Sequence, residues 1–197
     1  MTSQTINLKG LMFVVADPNP YFSRIVVGLL RSFGANNIAE VRNSFDAIRT
    51  LNGQKVDILL CDEKLPPHGG LQVAHAIRKK KDNDNRTVPI LIMAGDTRES
   101  IVKIARDAGA NMVIAKPLSP ASLYDRLTWI AFNPRQFIDT ATYFGPDRRF
   151  KVEPIPGGVG RRKGDKTEAP PAPSSAPTSP ALAQNEIDTL FKPARMG

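Results

Sequence analysis

Apolar residues follow two alternating rhythms along this chain. Short continuous runs occupy 11–15, 38–41, 56–61, 89–93 and 112–115, the form a strand takes when both faces of its sheet are covered. Between them, apolar residues recur at helical spacing: Phe22, Ile25, Val26, Leu29, Leu30 and Phe33; Phe45, Ile48 and Leu51; Leu71, Ala74 and Ile77; Ile101, Ile104, Ala105 and Ala108. A fifth helix carries Leu123, Leu127 and Ile130, with Ser119 as N-cap and Pro120 at its first position. Gly34 and Gly109 fall where helices should stop. Alternating strands and helices predict an α/β fold, a doubly wound five-stranded parallel sheet with helices on both faces.

Such a sheet brings the ends of its strands to one rim, where open α/β folds bind their ligands. Asp17 follows the first run, Asp62 the third, Ala94 the fourth and Lys116 the fifth. Asp62 also opens the loop Asp62-Glu63-Lys64-Leu65-Pro66-Pro67-His68-Gly69-Gly70, whose prolines and glycines force a turn before the next helix. An aspartate at a strand tip suits binding a divalent cation and accepting a phosphoryl group; it equally suits capping a loop or helix. Two neighbouring carboxylates repel, and a hard cation such as Mg2+ relieves that repulsion. A lysine beside them can pair with a phosphoryl oxygen. Pro117 disfavours helical geometry at Lys116 and so favours an extended strand end.

In these residues the chain resembles the receiver domains of two-component response regulators, the CheY-like fold. The likeness covers roughly residues 10–132 and rests on Val14-Val15-Ala16-Asp17, the Asp62 loop with Leu65-Pro66 and Gly70, and Ala108-Gly109-Ala110 leading to Ala115-Lys116-Pro117. It implies a phospho-accepting Asp62, Mg2+ held by Asp17, Asp62 and the Lys64 backbone carbonyl, and Lys116 on the phosphoryl group. It implies a flavodoxin-like fold and a histidine kinase or phosphotransfer protein as donor. Three positions depart from the family pattern. Ala16 stands where a second acid is usual, Ala94 where a Ser or Thr hydroxyl is usual, and Val113 where an aromatic switch residue is usual. One acid fewer weakens the expected Mg2+ site.

Composition changes sharply after residue 132. Residues 133–181 read as a basic and then Pro/Ala/Ser-rich disordered linker, too poor in apolar surface to offset its ordering entropy. The net charge of +8 suits an anionic partner. Arg148, Arg149, Arg161 and Arg162 lie near Tyr143, Phe144 and Phe150, and guanidinium groups bind phosphates and stack on rings. This stretch resembles the arginine-rich tails of CheY-like flagellar regulators that bind cyclic di-guanylate; a basic linker with generic attraction to anions fits it as well. The run 78–81 reads as solvated surface. Nothing supports sequence-specific DNA binding, and no stretch reaches the length of a membrane span. A single cysteine, Cys61, precludes an internal disulfide and fits the cytoplasm. Neither His68 nor His75 has a partnered nucleophile, so no enzymatic activity is expected.

Residues 182–192 form an amphipathic docking peptide in which Ile187, Leu190 and Phe191 make one apolar stripe. It resembles the N-terminal peptide of the flagellar switch protein FliM and, less closely, the C-terminal peptide of the chemotaxis phosphatase CheZ. The expected partner of 182–191 is a receiver domain, in cis or in trans, or a flagellar or chemotaxis protein. The function expected is a single-domain response regulator in chemotaxis or flagellar motor control, working by phosphorelay and protein contact. The alternative is a phosphorylation-independent pseudo-receiver that senses cyclic di-guanylate.

Overall fold

A computed structural model describes residues 6–148 and residue 184. The order of elements is β1 (Met12–Ala16), α1 (Pro20–Ser32), β2 (Asn37–Val41), α2 (Ser44–Gly53), β3 (Ile58–Asp62), α3 (Gly70–Lys79), β4 (Ile90–Ala94), α4 (Glu99–Asp107), β5 (Met112–Ala115) and α5 (Pro120–Phe132). The five strands are parallel in the order β2-β1-β3-β4-β5. The fold is therefore the expected flavodoxin-like one. Strand alternation divides the core into two layers. Val14, Leu59, Ile92 and Val113 face one side with Leu51, Val73, Ile77 and Val102. Phe13, Val15, Leu60, Met93 and Ile114 face the other with Val26, Leu30, Leu123 and Leu127.

Helix ends follow their local chemistry. The Asn19 side chain accepts from the Tyr21 and Phe22 amides, and Ser119 and Ser122 form a reciprocal capping box. Gly34 (φ 97°) and Gly109 (φ 91°) end α1 and α4 in the left-handed region. The helical stripes need correction at their margins: Ile25, Phe45 and Ile104 are exposed, while Val27 and Val102 are buried. Spacing locates a stripe but not its edge.

Two larger corrections concern basic residues and the linker. The stretch read as linker contains an antiparallel hairpin, β6 (Phe137–Asp139) and β7 (Phe144–Pro146). It packs where α3 and α4 end, at the rim opposite the strand tips, and Tyr143 Oη donates to the Pro146 carbonyl at 2.9 Å. Arg78, read as surface, is 2% exposed. Its guanidinium donates to the carbonyls of Gly109 (3.0 Å), Arg86 (2.7 Å) and Val88 (2.6 Å) and to Asn111 Oδ1 (3.0 Å). The Phe137 ring lies 4.9 Å from it, and Arg86, which donates back to the Arg78 carbonyl, stacks 3.3 Å from the Phe144 ring. Burial lowers the Arg78 pKa to about 9, which leaves it charged at neutral pH. No helix among the described residues is long and apolar enough to cross a membrane.

Candidate functional site

Three strand ends meet at the C-terminal rim. Asp62 is the last residue of β3 and pairs in register with Met93 of β4. Asp17 follows β1, and Lys116 follows β5. The Lys116 ammonium lies 2.6 Å from Asp17 Oδ2 and 3.1 Å from Asp62 Oδ1. The strand-end convergence expected of positions 17, 62 and 116 is thus present, with the lysine bridging both carboxylates.

Each of the three is held by its neighbours. Asp17 is fully buried, and its Oδ1 accepts the Asn19 amide at 2.8 Å. The Lys116 amide donates to the Ala94 carbonyl at 2.8 Å, which ties β5 to β4 at the rim. The Phe22 ring from α1 lies 4.1 Å from the Lys116 ammonium, a cation–π contact. Asp62 is 8% exposed, so it borders solvent while Asp17 does not.

The loop after Asp62 is folded tightly onto the strand tip. The Gly69 amide donates to the Leu65 carbonyl at 2.6 Å and the Gly70 amide to the Glu63 carbonyl at 2.9 Å. Gly69 has φ 87°. A Cβ at Gly70 would collide with the Asp62 carbonyl oxygen and lie 2.8 Å from Cys61 Sγ, so only glycine fits. Cys61 is buried as expected; desolvation, then the Asp62 and Asp17 charges, push its thiol far above the usual range and leave it unreactive. Partial burial raises the Glu63 carboxyl, with Lys64 acting against it. Beyond β4, Arg98 forms a two-pronged pair with Asp96 (2.9 and 2.6 Å) that braces the next loop.

The donor set fits a small hard cation, though sparingly. One positive centre, the ammonium, already touches an oxygen of each carboxylate, so both acids can reach a single cation. Mg2+ commonly uses one or two carboxylates and fills its other positions with water. Asp17 and Asp62 would hold it, with the Lys64 carbonyl as the third candidate; among the described residues no group of three or more His, Cys, Asp and Glu forms a richer site. The departures at 94 and 113 are visible too: Ala94 and Val113 are buried and aliphatic, so neither offers a hydroxyl or a ring.

The remaining expected site residues lie away from this rim. Arg148 donates to Asp107 at 2.6 Å and stacks 3.8 Å from the Tyr143 ring, so it braces the hairpin. Arg149, Arg161, Arg162, Ile187, Leu190 and Phe191 lie outside the described residues. Gln184 is described, and its carboxamide meets β5: Oε1 accepts the Ala115 amide at 2.6 Å and Nε2 donates to the Val113 carbonyl at 3.3 Å. Sequence reasoning missed Phe22 and Asn19 as wall residues and Gln184 as a contact residue. An Asx-Pro pair before a helix marks Asn19 as a cap, but nothing in the sequence marks a ring as the neighbour of a distant lysine.

Comparison with known proteins agrees with this geometry. Residues 13–128 match the model of the response regulator receiver domain. Chemotaxis protein CheY-3 of Vibrio cholerae is 28% identical over 119 residues, covering 60% of this chain and 90% of that protein. Among solved structures, one similar chain is the receiver domain of a sensor histidine kinase from Pseudomonas aeruginosa PAO1, with a magnesium ion coordinated in its active-site cleft. It is 26% identical, with a TM-score of 0.55, and the match covers 61% of this chain and 96% of that one. A two-component response regulator of the LuxR family from Aurantimonas is 25% identical, also with a TM-score of 0.55, over 62% of this chain and 85% of that one.

Proposed function

We propose, for a chain that belongs to the response regulator receiver domain family, that Asp62 accepts a phosphoryl group and that the protein signals by contact with other proteins in chemotaxis or flagellar motor control. The observation that carries this is the Lys116 ammonium, 2.6 Å from Asp17 and 3.1 Å from Asp62. A carboxylate oxygen of Asp62 attacks the phosphorus of a phosphohistidine donor, a histidine kinase or phosphotransfer protein. The O–P bond forms as the P–N bond breaks, the imidazole leaves with the electron pair, and an acyl phosphate remains on Asp62. Mg2+, when bound, neutralises charge on the transferring oxygens.

This chain's own residues do the rest. Asp17 is fixed by the Asn19 amide and by the Lys116 ammonium, which holds its carboxylate at one wall of the site. Lys116 can swing from Asp62 Oδ1 to a phosphoryl oxygen while retaining Asp17, since its side chain is already stationed between them. Ala94 supplies no hydroxyl to the product. The acyl phosphate therefore has one fewer hydrogen-bond donor, and coupling from Asp62 to the β4 end is weaker than a hydroxyl there would make it. The likeness to CheY-3 supports the chemotaxis assignment, and residues 182–191 are the segment proposed to dock on a receiver or a flagellar protein.

The test is direct. Full-length protein incubated with acetyl phosphate and Mg2+ is expected to show a phosphoryl adduct by mass spectrometry that is absent in Asp62→Asn and reduced in Lys116→Ala. No adduct on the wild-type chain at saturating phosphodonor removes the proposal.

A further inference from the structure

The outer edge of β5 is already occupied by this chain itself. β5 is the last strand of the sheet. Its Lys116 amide points inward to Ala94, so by alternation the Val113 carbonyl and the Ala115 amide point outward, as the polar groups of an edge strand do. The Gln184 carboxamide fills both: Oε1 accepts from Ala115 at 2.6 Å and Nε2 donates to Val113 at 3.3 Å. A carboxamide has the donor and acceptor of a peptide group, so one side chain reproduces one rung of a sixth strand.

We infer that Gln184 is an intramolecular latch, and that its carboxamide is the resident occupant of the β5 edge. Any partner that uses this edge must displace it. Tether length favours this chain's own Gln184 over that of a second copy. The stretch from Pro146 to Gln184 spans at most about 135 Å when fully extended, ample for any point on a domain this size. Tethering then makes the second contact a unimolecular event and populates even a weak one. The contact also has a defined place relative to the charged site: Ala115 is bonded to Lys116, the residue that holds Asp17 and Asp62. Latch and site share one strand end.

This inference deepens the docking role given to residues 182–191 and does not depend on phosphorylation. The experiment is amide hydrogen exchange on the full-length protein and on Gln184→Ala. The Ala115 amide is expected to exchange about tenfold faster in the variant, in line with the loss of a modest net hydrogen bond. The Lys116 amide, bonded to Ala94 inside the sheet, serves as the internal control and should not change. Equal Ala115 rates in the two proteins would overturn the latch. Protection of Ala115 that grows with protein concentration would assign the contact to a second copy and overturn the intramolecular form. Asp62 labelling by acetyl phosphate is measured in parallel, so failure of the site and failure of the latch are told apart.

Discussion

Each rim of the sheet buries a charge, and the two rims do it differently. At the C-terminal ends of the strands, Asp17 is fully buried and faces a counter-ion, Lys116. At the N-terminal ends, Arg78 is 2% exposed, and all four of its hydrogen bonds end on uncharged oxygens. Oxygens fixed in place around the guanidinium engage four of its five N–H donors and offer no counter-ion to exchange. Opposed ions can trade partners, because an entering cation or anion keeps the balance. The contrast separates a rim suited to chemistry from a rim suited to holding the domain and its hairpin together.

The largest effect is expected at Arg78. Arg78→Leu strands three carbonyls and an amide oxygen in the core and removes the hairpin's platform, for a loss of about 3–5 kcal/mol in urea unfolding. Arg78→Lys should not rescue it, since an ammonium cannot span the four acceptors. A loss below about 1 kcal/mol would break the comparison. Arg78 should also leave stability flat with pH near neutrality. Its folded pKa is lowered, so the cost of its burial is constant below about 9 and eases only as pH rises through that value.

Gly70→Ala ranks next. Its added methyl must push the Asp62 strand tip, with an expected cost of about 2–3 kcal/mol and loss of phosphoryl labelling at Asp62. Wild-type labelling in a stable Gly70→Ala protein would show that the loop yields. Lys116→Met follows, at about 2 kcal/mol, because it leaves two acids facing each other. Adding Asp17→Asn in that background should recover part of the stability, which a thermal melt can read. Paired ions permit such compensation, whereas among the described residues Arg78 has no ion-paired acid whose neutralisation would help. The smallest effect belongs to Arg148→Ala, whose partly exposed pair with Asp107 is worth less than about 1 kcal/mol; Asp62 labelling should not change, since the hairpin lies at the other rim.

The strands could be read from the sequence because a parallel sheet buries whole runs. Val56 to Cys61 has no polar interruption except Asp57, and Asp57 turns out to serve the neighbouring strand by accepting the Met12 amide at 2.7 Å. The charged triad could be read because each member sits at a strand end, a place that topology alone makes common ground. Arg78 could not. Its four acceptors come from two separate segments, 86–88 and 109–111, and in sequence it is the first of a basic run that looks hydrated. The hairpin escaped notice for a related reason. Its strands are three residues long, below the length at which alternation becomes a signal, and guanidinium–ring contacts with residues about sixty positions away support it. Gln184 lay in a stretch noticed for its apolar stripe, while its described contact is polar.

The missing side chain at Gly70 has a mechanical consequence. With backbone pressed against backbone, the first turn of α3 has no slack relative to the tip of β3. A displacement of Asp62 by even a few tenths of an ångström must therefore be carried by the whole rod of α3, whose far end bears Arg78 and the hairpin. In this domain an atom that is not there makes a stiff shaft between the two poles.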